Sequence, residues 1–379
     1  MLLPAQLSAG IGGAAAGTGY RRGIDFVAAG AASYERHAVS PLLSGDYRPE
    51  RRCSCVVAFA AMNSPRLPPA ILIMGPTASG KTAVAMALAD RFPVELISVD
   101  SAQVFRDMDV GTAKPDRATL ARYPHRLIDL ISPEESYSAA RFRNDALSAM
   151  AKITAAGKVP VLVGGTMLYF RALLHGLAEL PQADATLRTE IDAEAAAKGW
   201  PAMHAKLALF DPLTAARLHP TDSQRLQRAL EICQLSGRPM SELLAESERQ
   251  HPPYDFLSIG LLPSDRAELH ARIARRFDEM LLAGLDDEVR MLRQKYALHL
   301  NLPSMRCVGY RQTWEAQEGL IPPKELRDRG IFATRQLAKR QITWLTNSFE
   351  AENFDCLRSD LTEVIAGRVD NFLGSNQPA

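Results

Sequence analysis

Short apolar runs alternate with helical patterns along most of the chain, and together they predict a sheet flanked by helices. Residues 70–74, 94–99, 159–163 and 257–261 are rich in Val, Ile and Leu and have the length of buried strands. Residues 180–253 are helical in pattern almost throughout, in short segments separated by proline and glycine. We therefore predict the α/β fold class, a parallel sheet core flanked by helices with an inserted all-helical domain. Helices are predicted at residues 82–92, 191–198, 203–209, 213–218, 224–235 and 265–282.

The same patterns divide the chain into five parts. Residues 1–61 show no sustained period, and their first basic residue, Arg21, comes too late for a signal peptide. We expect this part to be a disordered or mis-called N-terminal extension, with Met62 as the working start. The other parts are a first section of the α/β core (62–179), the helical insertion (180–255), a return to the core that ends in helices (256–350) and a C-terminal tail (351–379).

Composition excludes several classes of protein. The 379 residues include 44 basic and 43 acidic ones, a net charge of +1 that excludes a generally cationic nucleic-acid coat. Any nucleic-acid site must therefore be a local patch. No apolar run approaches the roughly 18 residues of a membrane span. Five cysteines with one close pair, Cys53 and Cys55, argue against a disulfide framework and a structural zinc site, and we expect a cytoplasmic protein.

A glycine-rich loop follows the first predicted strand. Its sequence, Gly75-Pro76-Thr77-Ala78-Ser79-Gly80-Lys81-Thr82, matches G-x-x-x-x-G-K-[ST] between a strand and a helix, the context that a phosphate-binding loop requires. Backbone N–H groups and the positive end of the helix attract an anion, Lys81 adds a full charge, and Thr82 offers a hydroxyl to Mg²⁺. The motif makes the core a P-loop-type sheet and predicts a polyphosphate ligand, but it does not indicate ATP hydrolysis.

Two more polar residues follow predicted strands. Asp100 ends the run at 94–99, and Gly164-Gly165-Thr166 ends the run at 159–163. Ligands of open α/β sheets bind at the carboxyl ends of the strands, so we expect Asp100 and Thr166 to share a crevice with Lys81. Asp100 is a candidate base or metal ligand, although an aspartate here can also be a helix cap. A motor ATPase usually places a Mg²⁺-holding Asp after such a strand, and Gly-Gly-Thr argues against one.

Three basic motifs lie farther along the chain. They are Gln224-Arg225-Leu226-Gln227-Arg228, Arg306-Cys307-Val308-Gly309-Tyr310-Arg311, and Arg335-Gln336-Leu337-Ala338-Lys339-Arg340-Gln341, which Trp344 follows. Arginine together with Tyr or Trp is suited to holding phosphates and stacking unpaired bases. Each motif alone is better explained by a solvated helix face, but three of them in a nearly neutral chain favour a local RNA site.

The order of these motifs, with Ser98–Phe105 and Val110-Gly111-Thr112-Ala113-Lys114-Pro115 between them, resembles the tRNA dimethylallyltransferase family over residues 68–345. The resemblance implies transfer of a dimethylallyl group from dimethylallyl diphosphate to N6 of the adenosine immediately 3′ of the anticodon, with Mg²⁺. Its partners would be dimethylallyl diphosphate and the tRNA anticodon stem-loop, with no membrane, and we expect a monomer. The chain departs from the family at Phe105, where a Tyr is usual, and at Pro124-His125, where a His pair is common.

The resemblance also implies roles for single residues. Asp100 would take the proton from the adenine amine, and Thr166 and Lys81 would act beside it. Diphosphate would be held by Gly75, Pro76, Thr77, Ala78, Ser79, Gly80, Lys81, Thr82 and Arg276, and the metal by Thr82. The tRNA would contact Asp100, Ser101, Ala102, Gln103, Thr166, Arg188, Gln224, Arg225, Leu226, Gln227, Arg228, Arg306, Cys307, Val308, Gly309, Tyr310, Arg311, Arg335, Gln336, Leu337, Ala338, Lys339, Arg340, Gln341 and Ile342.

Two other functions share some of these features. A P-loop kinase of small molecules or nucleotides has the same loop and a strand-end Asp, as does an isopentenyltransferase that acts on free adenine nucleotides. Neither needs three cationic motifs that face RNA. An RNA-binding regulator that uses a nucleotide only as a switch would not need Asp100.

Overall fold

The computed structural model describes residues 66–178, 180–246 and 251–376. The predicted extension at 1–61 and the start at Met62 lie outside this part of the chain. Six parallel strands form one sheet in the order β3–β2–β4–β1–β5–β6, which confirms the predicted fold class. The strands are β1 Pro69–Met74, β2 Val94–Val99, β3 His125–Arg126, β4 Val159–Gly164, β5 Asp255–Leu262 and β6 Glu352–Asp355.

Helices cover both faces of the sheet. Those before the insertion are α1 Lys81–Ala89, α2 Arg117–Arg122, α3 Ala139–Ala155 and α4 Met167–His175. Those after it are α10 Arg266–Leu282, α11 Leu285–Lys295, α12 Tyr310–Gln317, α13 Leu326–Ser348 and α14 Leu361–Asn376, with a short 3-10 helix at Pro323–Glu325. Side chains of β1 point alternately to the two faces of the sheet. Ala70, Leu72 and Met74 belong to one hydrophobic cluster, and Ile71 and Ile73 belong to the other. A strand that is buried on both faces needs apolar residues at successive positions, and β1 has them from Ala70 to Met74.

The insertion consists of five short helices with a small core of their own. They are α5 Ala185–Lys198, α6 Trp200–Phe210, α7 Pro212–Arg217, α8 Ser223–Ser236 and α9 Met240–Glu246. Ile191, Leu207 and Leu226 are at most 2% exposed in this core. Asp222 caps α8, as predicted from its position, by accepting a hydrogen bond from the backbone N–H of Arg225 at 3.2 Å.

The C-terminal tail predicted at 351–379 is wrong over the described residues. Strand β6 pairs with β5, and α14 packs on α1 through Ile365, Val369 and Phe372. The pattern concealed the strand because Glu352-Asn353-Phe354-Asp355 is mostly polar. An edge strand can be polar where its side chains are exposed or only half-buried, as all four are here.

Within the described part of the chain, no helix is both long enough and apolar enough to cross a membrane.

Candidate active site

The glycine loop joins β1 to α1 and ends at Lys81, the first residue of the helix. The Lys81 ammonium donates to the carbonyl oxygen of Pro76 at 2.6 Å, so the side chain lies across its own loop. The first-turn amides of α1 have no intrahelical acceptor and are free to bind an anion. Ser79 is wholly buried, and its hydroxyl has no hydrogen-bond partner in the described structure. This loop therefore keeps unused donors as well as positive charge.

Asp100 follows β2 and is held by the turn after it. Its Oδ1 accepts hydrogen bonds from the backbone N–H of Ala102 at 2.8 Å and of Gln103 at 3.4 Å. The next residue, Ser101, donates its backbone N–H to the Thr166 hydroxyl at 3.0 Å. The turns after β2 and β4 are therefore joined, as neighbouring strands of a parallel sheet allow. The carboxylate is oriented through Oδ1, and no hydrogen bond within the described residues reaches Oδ2.

Lys81, Asp100 and Thr166 line one cavity of about 860 Å³, as the positions of their strands predict. The apolar part of its wall includes Phe277, Met280, Leu337 and Trp344, of which none was predicted as an apolar contact. The predicted site residues on the wall are Thr77, Lys81, Thr82, Asp100, Ser101, Ala102, Gln103, Thr166, Arg225, Arg276, Arg306, Cys307, Val308, Leu337, Arg340 and Gln341. A mixed wall of this kind suits a ligand with a charged end and an apolar end.

Two cations, Lys81 and Arg276, interact with one carboxylate, Asp100, inside this cavity. Burial lowers the pKa of Lys81 to about 8, with a further lowering from the Arg276 guanidinium that Asp100 opposes. Burial also lowers the pKa of Arg276, while Asp100 and Glu279 act to raise it. The Arg276 charge therefore disfavours the protonated form of Lys81, and the Asp100 carboxylate does not offset the lowering of the Lys81 pKa. A polyanion bound between Lys81 and Arg276 would relieve this repulsion.

The loop at 109–114, which forms part of the cavity wall, is clamped by a glutamate that the sequence did not indicate. Glu288 of α11 accepts from the backbone N–H groups of Asp109, Val110 and Gly111 at 3.0, 2.7 and 3.2 Å, and from the Tyr310 hydroxyl at 2.5 Å. A Cβ on Gly111 would lie 2.5 Å from the Tyr310 ring, so the loop packs too closely for any other residue.

Lys114 tethers the same loop from the other side. Its ammonium donates to Asp109 at 2.6 Å, to Asp129 at 2.5 Å and to the carbonyl oxygen of Phe105 at 2.9 Å. The side chain is only 3% exposed. Lys114, for which the motif alone gave no role, is therefore a structural cation of the cavity wall.

Several residues predicted to contact tRNA are buried in the structure. Leu226 and Tyr310 are 0% exposed and Ala338 is 1% exposed, so these three side chains lie in the core and offer no exposed surface to RNA. Tyr310 lies on the side of α12 that packs into the core, and its hydroxyl donates a hydrogen bond to Glu288.

Arg188 and Arg228 are held by a buried carboxylate rather than free for RNA. Glu231 is 0% exposed and accepts from Arg188 at 2.9 and 3.1 Å and from Arg228 at 2.6 Å. Glu231 also accepts from the backbone N–H of Asp184, and Arg228 donates to the Pro181 carbonyl oxygen. These contacts hold the segment at residues 181–184, which leads into the insertion, against α8. Breaking the ion pairs of a buried carboxylate is energetically costly.

Other predicted cations have no acidic partner within the described residues. Arg306, Lys339 and Arg340 are exposed, and none of them forms an ion pair with a described carboxylate, whereas most arginines on the described surface do. Arg306 and Arg340 also line the cavity. Arg225 is exposed and lines it as well, but it is paired with Asp222. Cations at the edge of the cavity that have no acidic partner among the described residues, such as Arg306 and Arg340, can bind the phosphates of a ligand.

Comparison with known proteins places these features in a family. The sequence model of the family described as IPP transferase matches residues 103–348, a range that begins after the glycine loop. A relative named tRNA dimethylallyltransferase, from Dechloromonas aromatica (strain RCB), is 86% identical over 314 residues, which are 83% of this chain and 100% of the relative. Another of the same name, from Chromobacterium violaceum, is 60% identical over 313 residues, 82% of this chain and 96% of the relative.

Solved structures agree with the sequence matches. The full-length tRNA isopentenylpyrophosphate transferase of Bacillus halodurans is 35% identical with a TM-score of 0.58, over 81% of this chain and 96% of that one. A eukaryotic dimethylallyltransferase acting on tRNA is 25% identical with a TM-score of 0.69, over 82% of this chain and 80% of that one. The resemblance inferred from the motifs is confirmed, and the chain belongs to the IPP transferase family.

Proposed function

We propose that this protein is a tRNA dimethylallyltransferase, which transfers a dimethylallyl group from dimethylallyl diphosphate to N6 of the adenosine immediately 3′ of the anticodon. The observation that carries the proposal is that Asp100, Lys81 and Arg276 line one shared cavity, beside an apolar wall. This arrangement provides a base, a diphosphate site and a place for an apolar chain. The names of the relatives support this function over a P-loop kinase.

The reaction breaks the bond between the allylic carbon and the diphosphate oxygen and forms a bond from that carbon to N6. Diphosphate leaves with the bonding electrons, so Lys81, Arg276 and the loop amides stabilise the charge that develops on it. N6 must lose one proton as its bond forms, and Asp100 accepts it. Because Oδ1 is held by two backbone N–H groups, Oδ2 is the oxygen assigned to that proton. A positioned base typically contributes about 10²–10⁴-fold to the rate.

The residues around the loop suit a metal that a diphosphate helps to hold. The described residues include no group of three or more His, Cys, Asp or Glu that could bind an ion by themselves. The Thr82 hydroxyl and the Asp100 carboxylate are oxygen donors on the wall, and Mg²⁺ is commonly bound by one or two such groups together with substrate phosphates. Mg²⁺ would supply further neutralisation of the leaving diphosphate. Thr82 is the residue we assign to it.

The RNA would lie over the exposed cations at the cavity opening. Arg306 and Arg340 contact its phosphates in this proposal, and Trp344 on the cavity wall offers a face on which the extruded adenine can stack. Extrusion of a base from a stacked loop costs a few kcal/mol, which these contacts must offset.

The transfer assay separates this function from its alternatives. Pure protein is incubated with labelled dimethylallyl diphosphate and either unmodified tRNA or AMP, and separately with labelled ATP and small acceptors. We expect label on tRNA alone. Label on AMP with none on tRNA, or phosphate moved from ATP, would overturn the proposal.

Asp100→Asn tests the base. The amide retains an acceptor for the backbone N–H groups but cannot take a proton, so single-turnover transfer should fall at least about a hundredfold while tRNA affinity stays within about twofold. Asp328→Asn, at a carboxylate that is 82% exposed, is the matched control. An equal loss of RNA binding in Asp100→Asn would mean that Asp100 is structural.

The RNA surface is tested by removing the charges of Arg335, Lys339 and Arg340 together. The slope of log affinity for tRNA against log salt concentration should decrease by about 2–3, as expected when up to three phosphate contacts are lost. Arg329→Gln on the same helix is the control, because Arg329 is already paired with Glu325 at 2.9 Å. An unchanged slope would make this part of α13 an ordinary solvated face.

A further inference from the structure

Gln341, predicted from the sequence to contact tRNA, has both ends of its side-chain amide engaged inside the protein. Its Oε1 accepts from the backbone N–H of Thr77 in the glycine loop at 2.8 Å. Its Nε2 donates to the backbone carbonyl oxygen of Gly165, in the turn after β4, at 2.9 Å. We propose that Gln341 is a positioning residue for transfer, a strut that fixes the diphosphate loop against the turn that carries Thr166.

The chemistry of the two partners explains why this strut is a glutamine. A backbone N–H can only donate and a carbonyl oxygen can only accept, so the residue between them must offer one acceptor and one donor on a planar group. A glutamate at this position would meet the Gly165 oxygen with a second acceptor, and an asparagine would be one methylene too short for both partners. The partners also fix which end of the amide is oxygen, since the reverse orientation would lose both hydrogen bonds.

Close packing at Gly165 shows that the amide occupies a defined place. A Cβ added to Gly165 would lie 2.3 Å from Nε2 of Gln341, so only glycine leaves room for the strut. Gly165 does not have a positive φ, so the conflict with alanine is steric: Nε2 of Gln341 is the nearest atom, and the carbonyl oxygen of Gly75 would lie 3.3 Å from the Cβ. The most severe conflict is therefore with the side chain of a residue 176 positions away.

The strut connects the parts of the proposed reaction. Thr77 belongs to the loop that would hold the diphosphate, and Gly165 precedes Thr166, whose hydroxyl accepts from the backbone N–H next to Asp100. Gln341 itself follows Arg340, an exposed cation on the cavity wall. The Gln341 side chain thereby sets the distance between the diphosphate loop and the turn beside Asp100. It also attaches both of them to α13, the helix assigned to RNA. Positioning of this kind matters because small displacements of reacting groups cost large factors in rate.

The inference rests on the proposed diphosphate site, and binding of inorganic diphosphate in the absence of RNA tests it without requiring transfer. Gln341→Met retains the volume and removes both hydrogen bonds. We expect its dissociation constant for diphosphate to rise about tenfold and transfer at saturating tRNA to fall by at least as much, with tRNA affinity within about twofold of wild type. Thr343→Ala, at an exposed position on the same helix, is the control and should match wild type in all three measurements.

Gly165→Ala tests the same contact from the side of the turn that accepts the Gln341 hydrogen bond. Its Cβ should displace the amide and reproduce the loss of diphosphate affinity, and combining it with Gln341→Ala should add little to either single change, because both remove one interaction. Thermal melts identify any variant that does not fold.

Two results would overturn the inference. One is weakened tRNA binding with unchanged diphosphate binding in Gln341→Met, the behaviour of an RNA contact. The other is full additivity between Gly165→Ala and Gln341→Ala. Failure of the proposed function would be seen differently, as wild-type protein that binds diphosphate and transfers nothing to tRNA.

Discussion

Replacing Lys81 should stabilise the protein without ligand while abolishing its diphosphate site. The ordinary pKa of a lysine is 10.5, and burial beside Arg276 lowers the pKa of Lys81 to about 8. One pKa unit corresponds to about 1.4 kcal/mol, so the charged form of Lys81 opposes folding by at most about 3–4 kcal/mol. The side chain is half-buried, and partial solvation reduces that figure. We therefore expect Lys81→Met to raise the free energy of unfolding at pH 7 by about 1–3 kcal/mol.

The pH dependence of this gain follows from the direction of the shift. Below pH 8 both the native and the unfolded wild type carry the proton, so the full cost of the buried charge is present. Between pH 8 and 10.5 the native lysine loses its proton while the unfolded chain still binds one, and the stability of the wild type rises with pH. The advantage of Lys81→Met should thus be largest at neutral pH and disappear towards pH 10.5.

Urea unfolding followed by tryptophan fluorescence measures both effects. The quantity to compare is the difference between variant and wild type at each pH, because other groups titrate in both proteins. Lys152→Met, at an exposed site on α3, is the control and should show no such pH-dependent difference. Added diphosphate should stabilise the wild type and leave Lys81→Met unchanged. A Lys81→Met protein that is less stable than wild type at pH 7, or a difference independent of pH, would refute the reasoning.

Two further predictions concern the supports of the site. Gly111→Ala should cost about 1–3 kcal/mol of unfolding free energy, since its Cβ would lie 2.5 Å from the Tyr310 ring and 2.8 Å from Cδ1 of Leu285. Unaltered urea midpoints would contradict this packing. Glu231→Ala should cost about 2–3 kcal/mol because it removes charge-assisted hydrogen bonds to Arg188 and Arg228, whose side chains are 40% and 31% exposed and can be partly hydrated. A loss below about 1 kcal/mol in the same assay would show that these contacts contribute little.

The sequence predicted the sheet and the centre of the site because both depend on local order along the chain. The four apolar runs became β1, β2, β4 and β5, and the rule that ligands bind at strand ends brought Lys81 and Asp100 into one cavity. Strand β6 was missed since a polar edge strand has no hydrophobic signal, and β3 since it has only two residues.

The supports of the site could not be predicted because they are contacts between distant residues. Gln341 reaches a loop residue 264 positions before it, and Glu288 binds amides about 178 positions before it. No local pattern distinguishes a glutamine that spans two loops from one that faces solvent. The orientation of side chains was the second difficulty. A motif shows that Tyr310 is present, but it does not show that the side chain packs in the core. The assignments of single residues to RNA and diphosphate therefore stay predictions.

The placement of α14 has a consequence for how the protein is made. The apolar side of α1, the helix that begins with Lys81, is covered by Ile365 and Val369, near the end of the chain. During synthesis the phosphate-binding element emerges early, yet its hydrophobic neighbours are translated last. A ribosome that stops at residue 350 would release a chain that has every group assigned to chemistry but lacks the apolar residues of α14 that complete this cluster. Such fragments would be prone to degradation, so only finished copies would compete for substrate.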